Sequence, residues 1–261
     1  MRTITSAEAK AICLGLLAAS FSAHPAFALD GAAQQGAAPG ATVESQAGVV
    51  QRPRRANFEH ESASPEVRQV ADWVVDSDDN RSLPFVILDK KDAKVFVFHA
   101  DGRLRNAAPA LIGLAVGDDA VPGIGQRKLS SILPEERTTP AGRFVAALDR
   151  NLHGKEILWV DYDGAVSLHP VITTHPEEYR AQRLATPTPL DNRISYGCIN
   201  VPADFFNNVI HPAFARSNGI VYVLPETRSL RKVFAWYDVD ERARLLIASQ
   251  RLPVQVAAPM E

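Results

Sequence analysis

The region 83–226 is predicted to be mostly β, a sandwich or barrel of mainly antiparallel strands with a few peripheral helices. Three observations predict it. Short apolar runs recur at close spacing, as at 85–88, 157–160 and 219–224. Turn pairs such as Asp101-Gly102 and Asp163-Gly164 separate them, and Asp-Gly between apolar runs is a strong hairpin signal. Helical periodicity is confined to the edges of the region, which suits a closed or double-layered sheet.

Taken in order, residues 1–28 read as a secretory signal. Arg2 and Lys10 supply the positive start, 11–23 the apolar run, and Ala26-Phe27-Ala28 the cleavage site. The run is shorter than the roughly 20 residues that span a bilayer. The protein is therefore expected to be exported to the periplasm or cell envelope, without a transmembrane segment. Residues 29–63 are rich in Gly, Ala, Gln and Ser and are expected to form a flexible linker, with the basic knot 52–55 solvated.

Residues 64–82 should hold a helix. Ser64 is suited to the N-cap and Pro65 to the first turn, and Val67, Val70, Ala71 and Val74 share one face. Strands are predicted at 85–88, 94–99 and 109–114, followed by a long Gly- and Pro-containing loop over 116–136. A further strand follows Thr138-Thr139-Pro140 and ends near 148, and 157–160 pairs with 165–171 as a hairpin. A helix is expected over 202–216 and a closing strand over 219–224. Residues 227–261 form a C-terminal extension in which Val233, Phe234, Trp236, Tyr237, Leu245, Leu246 and Ile247 would pack a helix.

Composition narrows the function. Lys and Arg number 28 against 30 Asp and Glu, with no basic stripe, so a nucleic-acid partner is not expected. There is no H-E-x-x-H, no paired Cys set, no G-x-S-x-G and no phosphate-binding glycine loop. Neither a metal nor a cofactor is expected.

The cysteines carry more. Cys13 falls within the signal, which leaves Cys198 alone in the mature chain. A lone Cys in an exported protein is either an intermolecular link or a free thiol, and an oxidising compartment puts a free thiol at risk unless it has a use. Cys198 lies in Arg193-Ile194-Ser195-Tyr196-Gly197-Cys198-Ile199-Asn200-Val201-Pro202. Ile194 and Ile199 would anchor the segment, Gly197 permits a sharp turn, and Pro202 would open a helix whose dipole favours thiolate. The competing reading is a small buried core residue. His169 lies on a predicted strand with Ser167 on the same face. The polar excursion 173–192 then returns the chain toward Cys198, a workable base–nucleophile arrangement. His175, within that excursion, is a second candidate to line the site.

Thr139-Pro140-Ala141-Gly142-Arg143-Phe144, then His169, then Ser195-Tyr196-Gly197-Cys198-Ile199-Asn200 resemble the L,D-transpeptidase catalytic domain of the YkuD type, over about 83–226. The resemblance implies a cysteine acyl transfer on peptidoglycan stem peptides. Cys198 would attack the carbonyl of the third stem residue and expel terminal D-alanine, with His169 as the base. Ser195 would steady the site, and main-chain N–H groups around Tyr196, Gly197 and Cys198 would hold the oxyanion. Asn200 would brace the turn, and Arg193 would meet a substrate carboxylate. The acceptor is left open among a stem amine, a cell-wall-anchored protein and water.

Two departures stand out. Tyr196 occupies the position where the family usually has His, and 25 residues separate His169 from Ser195, more than is usual. The rival reading is a non-catalytic peptidoglycan-binding module that kept the fold. Retention of both Cys198 and His169 argues against it, since a pure binder needs neither.

Overall fold

The computed structural model of the protein describes residues 52–250; the expected signal segment, linker residues 29–51 and the end of the chain, 251–261, lie outside the described residues. The fold is mostly β, with mainly antiparallel strands. The strands are β1 (Phe85–Asp89), β2 (Lys94–Phe98), β3 (Leu104–Pro109), β4 (Ile112–Gly113) and β5 (Gly142–Arg150). They continue with β6 (Glu156–Asp161), β7 (Val166–Pro170), β8 (Arg193–Ser195), β9 (Ile199–Val201) and β10 (Gly219–Val223). Eight of them form one sheet in the order β3-β2-β1-β10-β5-β6-β7-β9, and β4 pairs with β8. The pairs β1–β10 and β7–β9 are parallel and the other five in the large sheet antiparallel. The sheet nearly closes on itself. Leu111, just beyond edge strand β3, exchanges two 2.8 Å main-chain bonds with Asn200 in the opposite edge strand β9.

Two cores flank the central strands. Val86, Leu88, Val221 and Val223 face an inner core shared with Leu158, Leu168, Ile199 and Val201. Their neighbours Phe85, Ile87, Ile220 and Tyr222 face a second core, roofed by helix Pro65–Ser77 through Val67, Val70, Trp73 and Val74. Every residue of β1 and β10 is buried for this reason, which turns the usual alternation into continuous apolar runs. The helix starts where the sequence places it. The Ser64 hydroxyl accepts from the Val67 N–H at 3.3 Å, and Asp78 closes the far end in the left-handed conformation.

Three expectations need correction. Residues 52–63 are ordered against the fold: Phe58 is buried edge-on against Phe96 and Phe98, Arg54 pairs with Asp78, and Arg55 pairs with Asp72 and Asp240. The basic knot meets Asp72 of the first helix, Asp78 at its C-cap and Asp240 of the last helix, a match that composition alone does not reveal. The strand expected at 109–114 falls into two elements, because the chain leaves β3 after Pro109 and Leu111 bridges β9. In the C-terminal extension Phe234 and Val239 are the buried anchors, whereas Leu245 and Ile247 of helix Val239–Gln250 are exposed.

Candidate active site

Cys198 and His169 meet because β9 runs parallel to β7. The register pairs Leu168 with Ile199 and His169 with Asn200, which sets Cys198 opposite Ser167. Leu168 and Ile199 point into the inner core. Their neighbours Ser167, His169 and Cys198 therefore emerge together on the other face. The Ser167 hydroxyl is 3.5 Å from the sulfur, and the Ala165 carbonyl accepts from the thiol at 3.7 Å.

The turn that carries the sulfur is braced from inside. The buried Ser195 hydroxyl donates to the Cys198 carbonyl (2.6 Å) and accepts from the Gly197 N–H (3.1 Å). Gly197 has φ +128°, and a Cβ there would sit 2.7 Å from the Thr138 carbonyl oxygen. A glycine is required by both conformation and space. The buried Thr139 hydroxyl accepts from the Gly113 N–H (2.9 Å) and donates to the Gly197 carbonyl (2.8 Å). Asn200 donates to the Cys198 carbonyl at 3.2 Å and accepts from Arg180 at 2.9 Å, so the long excursion after His169 returns a helix, Arg180–Ala185, onto the site.

Of the three N–H groups expected to form an oxyanion pocket, that of Gly197 is committed to Ser195. Among the described residues, those of Tyr196 and Cys198 have no acceptor.

His169 is oriented by its own strand. Nδ1 is 2.8 Å from the Pro170 carbonyl, which can only accept, so Nδ1 carries the proton and Nε2 is left as the base. Burial alone would raise the thiol pKa of Cys198, but the hydrogen bond and charge of His169, with help from Ser167, outweigh it and lower the pKa. Burial likewise opposes protonation of His169, yet the Cys198 sulfur and the Pro170 carbonyl raise its pKa. Both shifts favour a thiolate–imidazolium pair. The helix dipole expected to do this is not the cause: β9 and Pro202 lie between Cys198 and the first helical residue, Ala203.

A cavity of about 710 Å³ opens onto the sulfur. Ser167, His169 and Cys198 form part of its wall, Trp159 and Ile157 of β6 continue it, and Arg150 and Lys155 stand at the β5–β6 turn. Phe206 and His211 close another side. They belong to a helical segment whose middle, Phe206–Ile210, is π-helical. Pro212 follows and lacks the N–H that a regular α-helical ladder needs.

The remaining candidates divide. Tyr196 is exposed, with the Arg137 guanidinium 3.9 Å from its ring centroid. His175 lies on an exposed loop, 3.2 Å from Glu177, and is not among the residues lining the cavity. Arg193 does not reach the cavity either. It pairs with Glu226 and donates to the carbonyls of Gly113, Ala115 and Lys90.

Glu226 opens onto a buried ionic cluster that sequence reasoning missed. Lys90 donates to Asp118 at 2.8 Å and to the carbonyls of Thr139 and Gly117. Asp118 also accepts from Glu226, Thr227 and Arg228. Burial opposes the Asp118 charge, but Lys90 and these donors hold its pKa well below the usual carboxylate range. The cluster reaches the Gly197 turn through Thr139 on one side and Arg193 of β8 on the other. Thr139 was visible in its Thr-Pro-Ala-Gly context; nothing local marks Lys90 or Asp118.

Among solved structures, the chain is similar to Pgp2, the helical cell shape determining protein of Campylobacter jejuni. Identity is 16% over 62% of this chain and 52% of that one, with a TM-score of 0.39. It is also similar to the LD transpeptidase LdtMt1 in complex with imipenem (16% identity, 54% and 58% covered, TM-score 0.32). A third is the catalytic domain of the E. faecium L,D-transpeptidase (16% identity, 54% and 96% covered, TM-score 0.31). The chain spans about half the length of Pgp2. No protein-family model and no curated protein matches it.

Proposed function

We propose that the protein is an exported cysteine L,D-transpeptidase that acts on tetrapeptide stems of peptidoglycan. The observation that carries this reading is the cavity-facing Cys198–His169 pair, with the thiol pKa lowered and the imidazole pKa raised. The resemblance of 139–144, His169 and 195–200 to the L,D-transpeptidase pattern supplies the substrate class.

In this reading the Cys198 thiolate attacks the carbonyl carbon of the third stem residue, forming the C–S bond. The Tyr196 and Cys198 N–H groups stabilise the oxyanion; one such donor is worth about 3–4 kcal/mol in other acyl-transfer enzymes. His169 passes its proton to the departing amine of D-alanine as the C–N bond breaks. It then takes a proton from the incoming amine or water, whose attack releases the thiol. Tyr196 contributes through its main chain, so loss of an imidazole at this position leaves the mechanism intact.

Intact-protein mass spectrometry tests the proposal directly. Residues 29–261 mixed with a tetrapeptide-stem muropeptide should gain a thioester adduct with loss of D-alanine, and Cys198→Ala should not. A carbapenem should acylate the same thiol. A folded protein that forms neither adduct would move the assignment to a peptidoglycan-binding module.

A further inference from the structure

The cavity wall continues past the reacting groups to Trp159, for which the acyl transfer has no use, and Tyr162 stands beside it outside the cavity lining. Trp159 lies opposite Ser167 in the β6–β7 register, and Ser167 lies opposite Cys198, so the three form one row across three strands. Trp159 lines the same cavity as Cys198. Tyr162 stacks on the indole with ring centroids 4.8 Å apart and planes 21° from parallel, and it is 62% exposed. Its hydroxyl lies 3.4 Å from the exposed carboxylate of Asp149. An outward aromatic face beside a carboxylate suits a pyranose: ring C–H groups lie on the aromatic face and a hydroxyl donates to the carboxylate.

Spacing relates the subsite to the proposed stem peptide. Adjacent strands are about 4.8 Å apart, so Trp159 stands roughly 10 Å from the row position of Cys198. Three extended residues also span about 10 Å. A stem peptide whose third carbonyl meets Cys198 would bring its first residue, and the amino sugar attached to it, to the aromatic pair. We infer that Trp159, Tyr162 and Asp149 form a subsite for the N-acetylated amino sugar of the glycan strand, so that the donor is read as a glycan-linked stem rather than a free peptide. The choice of sugar rests on the transpeptidase reading; the aromatic face and carboxylate by themselves indicate only a pyranose.

Two measurements separate the claims. Titration of Cys198→Ala with a soluble β-1,4-linked N-acetylglucosamine tetramer should give a saturable tryptophan fluorescence change, lost when Tyr162→Ala is added. No change in the folded Cys198→Ala protein overturns the subsite. In parallel, kcat/KM should be about tenfold higher for a disaccharide-tetrapeptide than for the free tetrapeptide, with Tyr162→Ala bringing the ratio toward one. Equal values for the two substrates in the unmutated protein overturn the coupling of sugar to donor. Failure to acylate either substrate counts against the transpeptidase reading, and the sugar titration then decides the subsite alone.

Discussion

Two titratable pairs lie on either side of the Gly197 turn and are built to opposite ends. Cys198 and His169 face a cavity, and beyond His169 the sulfur has only weak partners, a hydroxyl at 3.5 Å and a carbonyl at 3.7 Å. Lys90 and Asp118 are sealed, and besides each other they engage main-chain and side-chain groups at Gly117, Thr139 and 226–228. A charge that must react needs an accessible side and an incompletely satisfied atom. A charge that must hold a backbone needs every lone pair and proton engaged, because a buried unpaired ion costs several kcal/mol. The contrast teaches how a strained turn is kept in place: it is tied to the saturated pair behind it through Thr139 and Arg193.

The strongest way to break this comparison is at the reactive pair. His169→Gln should slow acylation about 10²–10⁴-fold, the usual worth of a positioned base. It should also move the pH profile of iodoacetamide alkylation upward, because the imidazole lowers the thiol pKa. In the unmutated protein alkylation should persist below the ordinary thiol value of about 8.5. An unchanged alkylation profile would remove His169 from the mechanism.

At the sealed pair, Lys90→Met should cost about 3–5 kcal/mol of stability in denaturant unfolding, since it strands Asp118. The double variant Lys90→Met/Asp118→Leu should recover part of that loss; a double variant as unstable as the sum would show that the pair is not the unit. The sign of the pH effect follows from the depressed Asp118 pKa. Its contribution is present above about pH 4, the unfolded carboxylate value, and declines as the pH falls further. The stability gap between the unmutated protein and Asp118→Asn should therefore narrow on acidification.

Gly197→Ala sharpens the comparison at the turn itself. Positive φ and the 2.7 Å approach to Thr138 predict a loss of about 1–3 kcal/mol in thermal unfolding, together with slower acylation. The smallest effect belongs to Tyr196→Phe, which keeps the main chain and the ring under Arg137. It should alter the acylation rate by less than about threefold, in line with a surface substitution. A larger drop would mean that the phenol takes part.

Much of this was legible in local chemistry. Ser64 before Pro65, the apolar runs and the Asp-Gly pairs mark the first helix and most strands, because capping, alternation and turns act over a few residues. Gly197 next to Cys198 marks the strained turn for the same reason. Other features depend on groups far apart in the chain. Arg193 looked free for a substrate carboxylate until Glu226, 33 residues later, proved to be its partner. His175 looked close to the site until the excursion folded Arg180 onto Asn200 instead. The sequence by itself determined which side chains could react and where the backbone had to bend, since those properties belong to single residues and short turns. Only the tertiary structure decided that β9 lies parallel to β7, that His169 rather than a helix dipole lowers the Cys198 pKa, and that Lys90 and Asp118 back the turn. Strand register and ion-pair choice are set by burial across the whole sheet, and no stretch of sequence contains both partners.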